Sequence, residues 1–298
     1  MKAILVFLFS FTLLSLTYAQ QNHVTLVIDA GHGGDDPGHL SQFKGIPTEK
    51  DLNLKIALYL GEYIEKYLGN VKVIYTRKTD KNKTLNQRVE IANAGNVDYF
   101  LSIHCNGVEN SSVHGTESHV HDFSAKKSYS LAKEIENQFA NRAGRSSRGV
   151  KNNDDRSHSI QVLKYTKMTS VLVECGFMTN RSEANVLNSN YGQEVIASAI
   201  FRAFRKRIKS DYPKIDFSVS DKNAAYRIQI MSSKGPVELS HSSFKRLEDD
   251  VERQKLNTKS AYKFRYLVGG YSTKNEADKA LIKVRTQGFP DAIVIKNE

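Results

Sequence analysis

Two cysteines, Cys105 and Cys175, are all that 298 residues contain, so at most one disulfide can form and a disulfide-built scaffold is excluded. Beyond residues 3–16 no stretch is apolar over the roughly 20 residues that span a bilayer, which excludes a membrane-embedded protein. No cysteine stands at the end of that early run, which argues against lipid attachment there. There is no repeat strong enough for a solenoid and no low-complexity tract. Negative charge is the scarcer sign, with 32 Asp and Glu against 43 Lys and Arg, a net charge of +11. Such a balance favours a polyanionic partner: nucleic acid, anionic lipid or an acidic wall polymer. With 40% hydrophobic residues, the chain can build one large core or a large and a small one, and a mainly disordered protein is ruled out.

The N-terminus narrows these partners. Lys2 precedes the apolar run 3–16, and Thr17-Tyr18-Ala19 supplies a small-x-small site before polar Gln20-Gln21-Asn22. This resembles a secretory signal peptide, residues 1–19, cut after Ala19; read as a membrane anchor, the run is too short to span. The mature chain is thus expected to be periplasmic or secreted, which moves nucleic acid off the list of partners and wall polymers up it.

From residue 24 to 209, β-branched runs alternate with helical patterns, as in an α/β fold with a mostly parallel sheet flanked by helices. Strands are expected at 24–28, 71–76, 99–104, 116–120, 160–163 and 171–174. In residues 49–68, Leu52, Ile56, Leu60, Ile64 and Leu68 recur every four residues on one helical face, a core stripe. Thr84 and Gln87 form a capping box for a second helix. Further helices are expected at 125–143 and 192–209. Residues 210–224 are polar, contain Pro213 and show no periodicity, as in a linker. The remaining residues, 225–298, read as β-α-β-α-β: strands at 226–231, 264–268 and 292–295, helices at 243–256 and 274–287. That order suggests a second, small ferredoxin-like α+β domain.

The chemistry gathers at strand ends. The first strand runs into Asp29-Ala30-Gly31-His32-Gly33-Gly34-Asp35-Asp36-Pro37-Gly38, a histidine in a glycine-rich turn at a carboxyl edge, where open α/β sheets bind ligands. The stretch has neither G-x-G-x-x-G spacing nor a G-K-[ST] ending, which argues against a phosphate cradle. His104 ends another apolar strand in Leu101-Ser102-Ile103-His104-Cys105-Asn106, and Glu49 opens the first helix at the same edge if the crossover is right-handed. Two imidazoles and a carboxylate with a fourth position open for water compose a catalytic zinc site. Each histidine can equally be structural, and the local H-E-x-x-H pattern is missing. Glu174 follows three apolar residues at a strand end, where a carboxylate is costly unless it is paired or functional.

Taken in order, Val27 to Gly34, Glu49-Lys50, Thr76-Arg77, Ser102 to Asn106, Arg148-Gly149-Val150-Lys151 and Leu172 to Asn180 resemble the motif series of the zinc-dependent N-acetylmuramoyl-L-alanine amidases, over roughly residues 24–209. The resemblance implies that His32, Glu49 and His104 ligate zinc and that Glu174 is the catalytic acid/base. The substrate it implies is the amide between the lactyl group of N-acetylmuramic acid and L-alanine of the peptidoglycan stem, cleaved by zinc-activated water in wall remodelling and daughter-cell separation. Some members carry an inserted plug helix between the segments holding His104 and Glu174; the short interval here leaves little room for one, so an activator protein is not expected to be required. The basic residues Arg142, Arg145, Arg148, Lys151 and Arg156 read as a solvated loop or as a rim meeting anionic glycan. His114, His119 and His121 are read as non-ligands.

Residues 225–296 resemble a SPOR domain through Tyr226 to Ile230, Phe264 to Thr273, Glu276-Ala277 and Gly288 to Ala292, which implies binding of glycan stripped of stem peptides. Tyr266 and Tyr271 are candidates for stacking on sugar or for core. Two rivals stay open: a catalytically inactive peptidoglycan-binding protein that keeps both folds, and a zinc peptidase acting on stem-peptide bonds. Cys105 and Cys175 each follow a proposed site residue, and alternation turns both away from it. They either meet as a disulfide or stay as two buried free thiols.

Overall fold

A computed structural model describes residues 22–157, 159–218, 224–247, 249, 251–258 and 260–297; the expected leader, 1–19, lies outside them. The chain divides into two compact units, 1–219 and 220–298. Among the described residues no helix is long and apolar enough to cross a membrane.

The first unit is a six-stranded sheet. Its strands are β1 (Val24–Ala30), β2 (Val71–Tyr75), β3 (Tyr99–Asn106), β4 (Thr116–His119), β5 (Ser147–Lys151) and β6 (Thr169–Phe177), in the order β2-β1-β3-β6-β4-β5. β2, β1, β3 and β6 run parallel, β4 is antiparallel to β6, and β5 is parallel to β4. The helices are α1 (Glu49–Tyr67), α2 (Leu85–Asn93), α3 (Lys126–Arg142), α4 (Gln161–Tyr165), α5 (Arg181–Asn188) and α6 (Asn190–Asp211).

Strict alternation assigns the two sheet faces. Leu26 and Ile28, Leu101 and Ile103, and Val171 and Val173 join Leu52, Ile56, Leu60 and Ile64 of α1 and the inner faces of α3 and α6 in the larger core. Val27, Phe100 and Leu172 join Ala92, Val162 and Leu163 on the other face. Central strands buried on both sides explain why they read as continuous apolar runs. The capping box expected at Thr84 and Gln87 is present at the start of α2.

Three expectations for this unit are corrected. Residues 160–163 form no strand: Ile160 is the N-cap of α4, whose Val162 and Leu163 pack in the smaller core. A four-residue apolar run does not by itself distinguish strand from buried helix. The basic stretch read as a solvated loop contributes β5, and Arg145 within it is 9% exposed, its Nη2 2.9 Å from Glu183 Oε1 and bonded to the Cys175 carbonyl. The start of the expected linker belongs to this unit. α6 continues to Asp211, Tyr212 donates from its hydroxyl to Asp98, and Phe217 is buried in the larger core while its carbonyl accepts from Gly69 N.

Among its described residues the second unit has strands β7 (Tyr226–Ser233), β8 (Glu252–Lys255), β9 (Phe264–Tyr271) and β10 (Ile293–Lys296), and the α-helix α7 (Lys274–Thr286). The sheet is antiparallel, in the order β10-β7-β9-β8. The helix expected over 243–256 is a 3-10 turn, Ser242–Arg246, followed by β8. Phe244 and Leu247 do enter the core, but the charged segment after them pairs with the edge of β9, where Glu252 meets Arg227, and this sheet pairing overrides its helical pattern. Tyr266 and Tyr271 are core residues, with Tyr266 stacked on Phe244 at 5.5 Å.

Cys105 and Cys175 are free and fully buried, and burial pushes both thiols far above their ordinary pKa. Denatured, unreduced protein is expected to label at both cysteines and native protein at neither; absence of label after denaturation would restore the disulfide. Phe217→Ala is expected to lower the unfolding free energy by about 3–5 kcal/mol. Urea denaturation measures it, and an unchanged midpoint would detach residues 212–218 from the core.

Candidate metal and catalytic centre

The carboxyl edge of β1 is organised around Asp29. Its side chain, 1% exposed, accepts hydrogen bonds from Thr76 Oγ1 (2.6 Å), Ser102 Oγ (2.7 Å) and Arg88 Nη1 (2.6 Å). Burial opposes its ionisation, yet Arg88 and the two hydroxyls hold it below the usual carboxylate range. Arg88 also donates to the carbonyls of Ala30 and His32, while Arg77 donates to those of Ala30, Gly31 and Lys50. Two guanidinium groups thus bind the carbonyls of Ala30, Gly31 and His32 at the start of this turn.

That turn holds His32 at φ 61, in the left-handed region that costs a residue with a Cβ about 1–2 kcal/mol. His32 Nδ1 lies 2.8 Å from Asp36 Oδ2, which leaves Nε2 directed at Glu49 Oε2, 3.2 Å away. Gly31 serves close approach: a Cβ there would lie 2.2 Å from His104 Nε2.

Glu49, 6% exposed, opens α1. Its Oε1 lies 2.9 Å from His104 Nδ1 and accepts from Asn53 Nδ2 and Cys105 N, and its Oε2 accepts from His39 N. Against its burial, His104 and His32 hold this carboxyl far below its ordinary pKa. Burial pulls the His32 imidazole down, and the stronger effect of Glu49 and Asp36 raises it. One donor atom from each of His32, Glu49 and His104 lies within 4.8 Å of the others, so the three form a group that could hold a metal ion. Two imidazole nitrogens and one carboxylate oxygen suit zinc in chemistry, and Asp36 and Asn53 orient the donors.

Glu174 stands beside this group. It pairs in register with His104 across β3 and β6, and with Glu117 across β6 and β4. Its Oε2 is buried with no hydrogen-bond partner among the described residues. Burial first, then the negative charges of Glu49 and Glu117, raise its pKa well above the carboxylate range. An acid in this setting is suited to holding and passing on a proton.

The structure thus brings together the four residues singled out from sequence. His119 lies instead with Glu117 and Arg156, and His114 Nδ1 meets the Ser112 carbonyl. Sequence reading missed Asp36, Asn53, Arg88 and Glu117. Asp36 and Asn53 sit four residues beyond His32 and Glu49, a spacing that hints at contact, whereas Arg88 and Glu117 come from distant segments and carry no local signal.

The profile of the N-acetylmuramoyl-L-alanine amidase family matches residues 26–206. The Bacillus subtilis (strain 168) protein YqiI, itself uncharacterized, is 38% identical over 178 residues, covering 59% of this chain and 81% of YqiI. The N-acetylmuramoyl-L-alanine amidase LytC of the same organism is 35% identical over 177 residues, covering 59% of this chain and 34% of LytC, so the likeness spans about a third of that protein. A crystal structure of N-acetylmuramoyl-L-alanine amidase from Clostridium difficile 630 superposes with a TM-score of 0.59 at 30% identity, covering 63% of this chain and 98% of that one. The family match runs from within β1 into α6, through every strand that contributes to the cluster around Glu49, and the chain belongs to the N-acetylmuramoyl-L-alanine amidase family.

Proposed function

We propose that this protein is a zinc-dependent hydrolase that cleaves the amide between N-acetylmuramic acid and L-alanine of the peptidoglycan stem. The observation that carries this is Glu174 Oε2, enclosed with no hydrogen-bond partner among the described residues, beside the converging donors of His32, Glu49 and His104. Those three residues would hold the zinc ion, which when bound supplies Lewis acidity that polarises the scissile carbonyl and acidifies water. Glu174 takes the proton of the attacking water at Oε2 and returns it to the departing alanine nitrogen, a poor leaving group without it. Its raised affinity for a proton, set by burial and two neighbouring carboxylates, fits the second half of that task. Arg77 and Arg88 keep the His32 turn in place.

Residues 1–19 are read as a cleaved leader and the mature protein as periplasmic or secreted, a location that matches a wall substrate and the +11 charge. The second unit is read as a SPOR-like module that holds glycan stripped of stem peptides, and its four-stranded ferredoxin-like order supports that reading. In this scheme the enzyme makes the ligand of its own tether and works in wall remodelling and daughter-cell separation without an activator protein. Retention of all three donors and Glu174 favours an enzyme over an inactive wall-binding protein. Mass analysis of peptides released from purified peptidoglycan separates the amidase from a stem-peptide peptidase: free N-terminal alanine on every product is expected.

Glu174→Gln is expected to lower turnover by about 10² to 10⁴ while the folded protein keeps about one zinc per chain. His32→Ala is expected to lose both. Metal analysis with a turnover assay checks this, and near-normal turnover of Glu174→Gln would make Glu174 a structural carboxylate. Deleting residues 225–298 is expected to spare hydrolysis of soluble muropeptides and to weaken association with insoluble sacculi, because a tether raises local substrate concentration without changing the catalytic contacts. Pull-down with sacculi and a soluble-substrate assay test the two halves; loss of soluble activity would make the second unit part of the catalytic fold.

A further inference from the structure

We infer that Arg148 is the residue that recognises the stem peptide, by receiving the free carboxylate of the residue after the leaving alanine. The inference rests on the amidase reading and deepens it.

Three observations place the guanidinium. β5 lies beside β4, whose Glu117 stands opposite Glu174, and the β4–β5 ladder shifts register at Glu117, where the ion pair with Arg148 carries the row His104, Glu174, Glu117 on to β5. Its Nε lies 2.6 Å from Glu117 Oε1, and its Cζ sits 5.3 Å from the centroid of the Phe177 ring, which ends β6 at the same carboxyl edge as the metal-ligand group. The side chain is 41% exposed, and among the described residues no acceptor meets its Nη1 or Nη2. One edge of the fork is thus pinned by a carboxylate and an aromatic face, while Nη1 and Nη2, which can pair with a carboxylate in two parallel bonds, are left without an acceptor among the described residues. Glu117 is a firm anchor: although burial disfavours its charge, hydrogen bonds from His119 and Arg148 lower its pKa to about 2, so it stays ionised.

Substrate chemistry supplies the other half. The carboxyl of the lactyl group is consumed in the scissile amide and the N-acetylated sugar ring is neutral, so a free carboxylate near the bond comes from the peptide side. Two strand spacings of about 4.8 Å separate the backbones of Glu174 and Arg148, and an extended peptide advances about 3.3 Å per residue. A side chain reaching back over Phe177 therefore meets the second stem residue.

The test compares two muropeptides that differ only in whether the second stem residue bears a free carboxylate or a carboxamide. The zinc-loaded full chain and its Arg148→Gln and Arg148→Lys variants are assayed on both. Wild type is expected to favour the carboxylate, and Arg148→Gln to lose on the order of 10- to 100-fold more kcat/KM on the carboxylate than on the carboxamide, mainly through KM. Arg148→Lys is expected to fall between, because it keeps the charge without the fork. The carboxamide reaction reports on folding in every variant. Equal losses on both substrates would reduce Arg148 to a support for Glu117 and overturn the inference, as would a wild type that does not discriminate. Cleavage of neither substrate by the zinc-loaded wild type would overturn the amidase reading itself, and this inference with it.

Discussion

The buried pair of Asp29 and Arg88 is the interaction on which the centre depends. Both side chains are almost wholly enclosed, 1% and 4% exposed, at the end of the strand that launches His32. Removing one partner from such a pair strands a charge and costs about 3–5 kcal/mol. Here the loss would not stop at stability. Arg88 directs its remaining donors to the carbonyls of Ala30, His32 and Lys83, and Asp29 also ties Thr76 at the end of β2 and Ser102 in β3. One carboxylate thus fixes three neighbouring strands and the strained turn that presents the first imidazole.

Sheet register carries that order sideways. The parallel pairing of β3 with β6 sets His104 beside Glu174, and the antiparallel return of β4 sets Glu117 on the other side. Burial first, and then the negative charges of Glu49 and Glu117, drive the proton affinity of Glu174 up, while Glu117 is kept ionised by His119 and Arg148. Two acids, one and two strands away from His104, are pushed in opposite directions by what each is given as a partner. A one-residue slip of β6 would turn Glu174 into the core beneath and bring Cys175 to the surface of the site.

The second unit follows a different economy. Its core is small, and Tyr266, Phe244 and Phe289 stack within it and are not offered to a ligand. The charged edge strand β8 carries Glu252, Arg253 and Lys255, a composition that discourages pairing with other chains. The first unit, by contrast, closes over itself as far as Phe217, so the catalytic fold holds its own C-terminal segment in place.

The sequence by itself determined the elements whose side chains face one environment throughout. The four-residue stripe of α1, the capping box of α2 and the apolar runs of β1, β3 and β6 were legible because burial imposes a period on the residues that meet the core. His32, Glu49, His104 and Glu174 stood out for the same reason, as polar groups at the ends of apolar segments. What only tertiary structure decided lies where partners come from far along the chain. Residues 160–163 became α4 because α2 offered a face to pack on, and residues 252–255 became a strand because β9 offered an edge. Arg145 left the solvent because Glu183 met it across the fold, and Arg148, still 41% exposed, was fixed in place by Glu117. A charge reads as a surface residue until its counter-charge is in place, and sequence spacing does not carry that information.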